Sequence, residues 1–449
     1  MTETSSSTDV RLGSFLKLAI PLGIANISIL VILTTDVLMI GWLGIDELAA
    51  GILALAYFGV LIVFCEGVLS SVSVITSTHI SRNEQGQAWE TLLAGVILAA
   101  AASVPGYFIL AYSSEVLLTL GQDEQLVRIT EGYMEILALV LLPTLLNRAL
   151  IEYLVANEKG KTVLVISMVE IIANIFFNYV FMFGWLGGVS FGIVGAGYST
   201  LCVSFLSLLL LSLSIGSLKK GSSFTLTIPK ATILSEKIQS LVKLGFPLGL
   251  LELATVGFFT FITFVVGLFG TVSLAAHGIA MQISEIAVIF AFGIGEAASI
   301  RVAYAIGTGN RQITMNIARL ALFSGLVFIL CVSLMLLIGA DELPHLFLTS
   351  EQERKDDVVA FAAFLIRLST LFLIADVLQI ILVGVLRGFQ DTRTPFLICF
   401  SGFWIAGAGS GLFFAFYLNM ETVGLWVGLF ISLLVVAVAL FYRLLLFAR

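Results

Sequence analysis

KLAIPLGIANISILVILTTDVLMIGWL, Lys17 to Leu43, is apolar over a length that crosses a bilayer. Two residues depart from the pattern, Pro21 and Asp36. A proline inside a helix leaves the carbonyl four residues back, here Lys17, without its N–H partner and permits a bend. A carboxylate inside a membrane helix is costly and marks a functional position by default. A bendable helix with one titratable group has what an ion-driven switch needs. Asp36 falls about two turns before the outer end of the run. The alternative reading is a structural acid satisfied by hydroxyls, and Thr34 and Thr35 stand next to it.

Composition extends this reading to the whole chain. Of 449 residues, 59% are hydrophobic and only 11% charged, and mean hydropathy is +1.10. Soluble domains carry roughly 25% charged residues. An all-α integral membrane protein follows, with membrane lipid as its surroundings and little chain outside them. The formal net charge of −7 is small for this length, and no basic cluster suggests nucleic acid. Cys65, Cys202, Cys331 and Cys399 lie far apart inside apolar runs and form no C-x-x-C pair. They read as buried packing residues. The N-terminal MTETSSSTDVR lacks the pattern of a cleaved signal, so the first helix is expected to be retained.

Twelve runs of spanning length recur, near 14–43, 46–79, 88–112, 125–156, 161–185, 190–216, 237–267, 272–306, 312–340, 353–388, 395–419 and 422–447. Lysine and arginine set the orientation. One set of joints carries Arg82, Lys159, Lys161, Lys219, Lys220, Lys230, Lys237, Arg311, Arg387 and Arg393, and both termini join it. The opposite joints carry acids, among them Asp46, Glu47, Glu115, Asp341 and Glu421. Both termini are therefore expected in the cytoplasm. The longest joint divides the chain into an N-terminal six-helix lobe (1–216), a cytoplasmic linker (217–237) and a C-terminal six-helix lobe (238–449).

The halves repeat. FLKLAIPLG (Phe15 to Gly23) matches LVKLGFPLG (Leu241 to Gly249) at an offset of 226. The same offset aligns Gly41 with Gly267 and Leu48-Ala49-Ala50 with Leu274-Ala275-Ala276. Later, LVANEKGKTV (Leu154 to Val163) aligns with LRGFQDTRTP (Leu386 to Pro395) at an offset of 232. Six spans per repeat give both halves the same topology, with a pseudo-twofold axis along the membrane normal and alternating access about a cavity.

The polar residues inside the spans are few. Asn174 and Asn178, in NIFFN, are one turn apart and can present their amides to a common point. Helix–helix hydrogen bonding is the competing reading. Thr200, in GIVGAGYST, is a further candidate, although the glycines beside it also suit close helix packing. Glu252 and Asp376 lie in long apolar runs of the second half. Their repeat partners are Asn26 and Thr144, and that of Asp36 is Ile262, so no acid is required by the scaffold. They are candidates for a second cation or proton site. Arg148 and Glu152, four apart, read as an intramembrane ion pair, with Glu66, Glu170, Glu285, Glu296, Arg301 and Arg367 as further pairs or gates. His79, His277 and His345 match no metal-site spacing, and no H-E-x-x-H, P-loop or G-x-S-x-G occurs. Neither a metal nor an enzymatic activity is expected. The energy source is expected to be an ion gradient, H⁺ or Na⁺, with no other cofactor.

Pro21 through Asp36 with MIGWLGIDELAA, NIFFNYVFMFG followed by GIVGAGYSTL, LAAHGIAMQI (Leu274 to Ile283) and LRGFQDTRTPFLI (Leu386 to Ile398) resemble the multidrug and toxic compound extrusion (MATE) family. The resemblance covers essentially the whole chain. The first-span acid and fifth-span asparagine look like those of its DinF-type branch. It implies export of amphipathic, often cationic, drugs in exchange for H⁺ or Na⁺. A bacterial inner membrane and a monomer are the expected setting. The resemblance matches Asp36, Asn174 and Thr200 to the family's first-, fifth- and sixth-span site residues. Many members carry an acid four residues after the asparagine, where this chain has Asn178. Glu252 and Asp376 resemble the seventh- and tenth-span acids of the Na⁺-driven branch. The expectation is H⁺ coupling through Asp36, with bending at Pro21. The rivals are Na⁺ coupling at Glu252 and Asp376, a flippase for lipid-linked precursors, and an intramembrane enzyme. The flippase would want more interior arginines than Arg148 and Arg367. The enzyme would want a nucleophile paired with a base, or metal ligands.

Overall fold

The computed structural model describes residues 11–119, 121–122, 124–185, 187–219, 229–347 and 355–448. All regular structure among them is helical. Among the described residues, twelve helices have the length and apolarity of membrane spans: α1 (Leu12–Gly41), α2 (Asp46–Ser81), α3 (Gln85–Ala111), α4 (Glu124–Ala156), α5 (Gly160–Phe183), α6 (Ile193–Leu218), α7 (Ala231–Gly267), α8 (Thr271–Gly307), α9 (Arg311–Gly339), α10 (Lys355–Gly388), α11 (Arg393–Tyr417) and α12 (Glu421–Phe447). The tail before Arg11 and residues 220–228 of the expected linker lie outside the described residues.

The largest departure from the sequence boundaries is at α7, which starts at Ala231 and not near 237. The extra turns have partners. Leu234 and Ile238 pack against Val72, Ala94 and Leu241. Lys237 Nζ donates to His79 Nε2 at 2.9 Å and to Gln87 Oε1 at 3.1 Å. Hydropathy alone ends a span where the lipid ends, whereas a helix runs on wherever protein covers it. α2 breaks at Ser70, between Ile45–Leu69 and Ser71–Ser81. There the hydroxyls of Ser70, Ser71 and Ser73 bond carbonyls three residues back and compete with the helical ladder. α11 contains π-helical turns at Ser401–Gly407 and Phe413–Tyr417, within a glycine-rich stretch.

The chain divides into two compact units. One runs from Ile24 to Gly249; the other joins the start of the chain, up to Gly23, to everything from Leu250 onward. Each cut follows the glycine of a P-L-G motif, and the two glycines are repeat equivalents at the offset of 226. The first helix of each repeat therefore belongs to both units.

In the unit from Ile24 to Gly249, α4 is central and packs on α2, α3, α5 and α6. Tyr133, Leu137, Leu141 and Leu145, four apart, put one buried stripe of α4 into the core. In the other unit α10, the fourth span of the second repeat, takes the same place and packs on α8, α9 and α12. Membrane helices approach closely where residues are small. A Cβ on Gly67 would lie 2.7 Å from the Gly249 Cα, within the first of these units. In the other unit a Cβ on Gly293 would run into the backbone of Gly23. Gly67 and Gly293 are again 226 apart, so the crossing occurs once in each unit.

Of the four cysteines, Cys65 and Cys399 are buried as expected. Cys202 is half-buried and Cys331 exposed, which corrects the reading of all four as core residues. An apolar run does not say which of its positions face lipid.

Candidate functional site

Asp36 is buried in the unit from Ile24 to Gly249, at 3% exposure. Two helical turns of α5 face it. Asn174 Nδ2 donates to Asp36 Oδ1 at 2.9 Å and Asn178 Nδ2 donates to the same oxygen at 2.7 Å. Asn178 Nδ2 also points at Asn174 Oδ1, at 3.4 Å. The one-turn spacing on α5 is what brings both amides to one carboxylate oxygen. Thr35 is not part of this set, since its hydroxyl donates to Val31 O at 2.8 Å. The acid is thus held by amides and not by its neighbouring hydroxyls. Among the described residues no donor reaches Asp36 Oδ2.

Two more polar atoms are buried near this trio. The Asn178 Oδ1 and the Tyr133 hydroxyl have no hydrogen-bond partner among the described residues. Tyr133, from α4, is close enough to feel the Asp36 charge. Sequence reasoning missed it, although a single tyrosine among the aliphatic residues of EGYMEILALVLL was a readable signal. Thr200 does not reach the carboxylate. Its hydroxyl donates to Ala196 O, one turn back on α6, at 2.9 Å. Ser199 beside it donates instead to the backbone carbonyl of Asn174, at 3.3 Å. The glycines near Thr200 do serve packing: a Cβ on Gly195 would lie 2.5 Å from Phe181 O. α5 ends where expected, with Gly184 in the left-handed region at φ 68.

Arg148 and Glu152 form the expected pair, with Nη2 to Oε1 at 2.5 Å, and Glu66 lies within electrostatic reach of both. In the other unit, Glu252 on α7 is half-buried and close enough to act on Cys399 of α11. Asp376 is half-buried on α10. Arg301 Nη2 donates to the carbonyl and hydroxyl of Ser14, and Arg367 pairs with Asp341 at 2.5 Å. Pro21 is buried in α1, which continues as a helix through it.

His277 has a complete and directed set of bonds. Trp426 Nε1 donates to its Nδ1 at 3.1 Å. An indole N–H only donates, so Nδ1 must be unprotonated. Nε2 then carries the hydrogen and donates to Thr263 Oγ1 at 3.0 Å, and Thr263 donates to Phe259 O at 3.1 Å. The imidazole is a neutral strut joining α7, α8 and α12.

The MatE family profile matches the chain twice, over residues 21–180 and 247–411. The chain belongs to the MatE family. The two matched segments start 226 residues apart, at the two prolines of the repeated P-L-G motif. This MatE chain is 30% identical over 454 aligned residues to a probable multidrug resistance protein NorM of Rhizobium meliloti, covering 99% of the chain and 95% of that relative. It is also 30% identical to the multidrug resistance protein NorM of Burkholderia vietnamiensis, covering 95% and 92%. Its fold is that of solved MATE transporters. It superposes on a multidrug resistance MATE transporter of the MOP superfamily in an outward-facing conformation with a TM-score of 0.90 at 18% identity, covering 100% and 98% of the two chains. For the eukaryotic MATE transporter AtDTX14 the TM-score is 0.86 at 20% identity, over 96% and 95%. The MatE chain is thus a multi-pass membrane transporter of twelve spans.

Proposed function

We propose that this chain is an H⁺-coupled multidrug antiporter that exports amphipathic, often cationic, compounds by alternating access. It would sit in a bacterial inner membrane with both termini cytoplasmic. The observation that carries the coupling site is the convergence of two amide N–H groups on Asp36 Oδ1 in a buried place. Both amides present hydrogens. A metal cation there would need oxygens, so both side chains would have to turn over. A proton needs no such rearrangement, because it can be taken up on Oδ2.

With Asp36 charged, the amides of Asn174 and Asn178 hold α1 against α5. Protonation removes the charge and weakens both bonds, since charge-assisted hydrogen bonds are about twice as strong as neutral ones. α1 is then free to bend at Pro21, where the ladder already lacks an N–H. The bend expels bound drug, and inward reopening releases the proton to the cytoplasm. Thr200 would act only after turning from Ala196 O. The test is drug efflux from proteoliposomes under an imposed pH gradient and, separately, under a sodium gradient. Efflux driven by protons alone supports the reading. Efflux driven by sodium alone overturns it and moves the coupling to Glu252 and Asp376.

A further inference from the structure

Of the twelve spans, α8 is the most buried, and most of its polar side chains are accounted for. Ser284 donates to Ala280 O at 2.8 Å, His277 is held from both sides, and Ser299 accepts from Arg387 Nε at 3.1 Å. Glu285 and Gln282 are different. Glu285 is exposed and Gln282 half-buried. Neither makes a hydrogen bond or an ion pair with any described residue. They are three apart and share a face. Glu285 stands about 21 Å along a helix about 55 Å long, at 1.5 Å per residue, which is within hydrocarbon depth.

Lipid cannot solvate a bare carboxylate and a bare amide at that depth, so this face of α8 meets water. The neighbouring surface is open. A Cβ on Gly278, one turn before Gln282, would meet nothing within 4 Å, and Ile286 beside the acid is 51% exposed. A carboxylate and an amide on one wet face, with the exposed Ile286 beside them, match a compound with one cationic centre and a hydrophobic body.

We infer that Glu285, assisted by Gln282, anchors the cationic centre of the exported compound. This rests on the export reading above. Gly59 and Ala56 occupy the repeat-equivalent positions on α2, so the acid is particular to α8 and is not a requirement of the fold.

The test uses full-length protein in proteoliposomes and two probes of similar size, a quaternary ammonium amphiphile and its uncharged analogue. Glu285→Gln should raise KM for the quaternary probe about tenfold, close to 1.4 kcal/mol, and leave KM for the neutral probe unchanged. Glu285→Asp should recover part of the loss. In a background with the four native cysteines replaced, Glu285→Cys should react with a membrane-impermeant thiol reagent, and the quaternary probe should slow that reaction. Equal effects of Glu285→Gln on both probes, or no effect on either, would overturn the assignment. So would a Glu285→Cys thiol that never reacts. Wild-type protein that moves neither probe would instead reject the export reading itself.

Discussion

Asn178 donates to Asp36 Oδ1 at 2.7 Å across 142 positions of sequence. This short bond ties the fifth span to the first. Asn178→Ala should remove a hydrogen bond to a charged group, worth about 1.5–3 kcal/mol. The variant should show a lower thermal midpoint in detergent and slower transport, with Asn174 still holding the acid. A midpoint equal to that of wild type would mean the bond carries no weight.

Asp36→Asn replaces an acceptor-only oxygen pair with an amide of nearly the same shape. The fold should survive, because Asn174 and Asn178 can still donate to the new carbonyl. Resistance in a drug-sensitive host should be abolished while the amount of protein in the membrane is unchanged. Retained resistance would remove Asp36 from the coupling.

Pro21→Ala restores the N–H for the Lys17 carbonyl and stiffens α1. Ligand binding should persist while turnover falls by tenfold or more, about 1.4 kcal/mol on the barrier. Equilibrium drug binding and counterflow, measured on the same sample, separate the two. Unchanged turnover would show that α1 need not bend there.

Gly67→Ala places a methyl group 2.7 Å from the Gly249 Cα, and backbone cannot move aside as a side chain can. Gly216→Ala is the control, since a Cβ there meets nothing within 4 Å. The first variant should lose most folded protein by fluorescence size-exclusion. The second should match wild type. Equal yields would mean that the crossing tolerates separation.

His277→Gln breaks a set of bonds whose direction is fixed by the Trp426 N–H. Orphaned buried donors cost about 1–3 kcal/mol each, so the thermal midpoint should fall. The pH at half-maximal transport should stay where it is, because His277 is held neutral. A moved pH profile would make His277 a proton carrier.

Much of this was readable from the chain. The twelve spans follow from hydropathy, and the repeat from FLKLAIPLG against LVKLGFPLG. Asp36 stood out because carboxylates are rare in such a run, and NIFFN offered two amides at helical spacing. The sequence could not say that they meet on one oxygen, since that depends on how α5 is rotated about its axis. Nor could it say that the Thr200 hydroxyl turns to its own backbone, at Ala196 O. It also left Cys331 on the wrong side of its helix, and it hid the exposure of Glu285, which spacing alone grouped with paired charges.

The matching cuts after Gly23 and Gly249 have a consequence for how such a gene can be handled. A polypeptide stopped near residue 216 would carry the beginning of α1 but none of the segments beyond Leu250 with which that beginning is grouped. Its counterpart would lack the same for the beginning of α7. Neither fragment should then behave as a portable module, and two half-genes should give a working product only when both are translated into the same bilayer and complement one another.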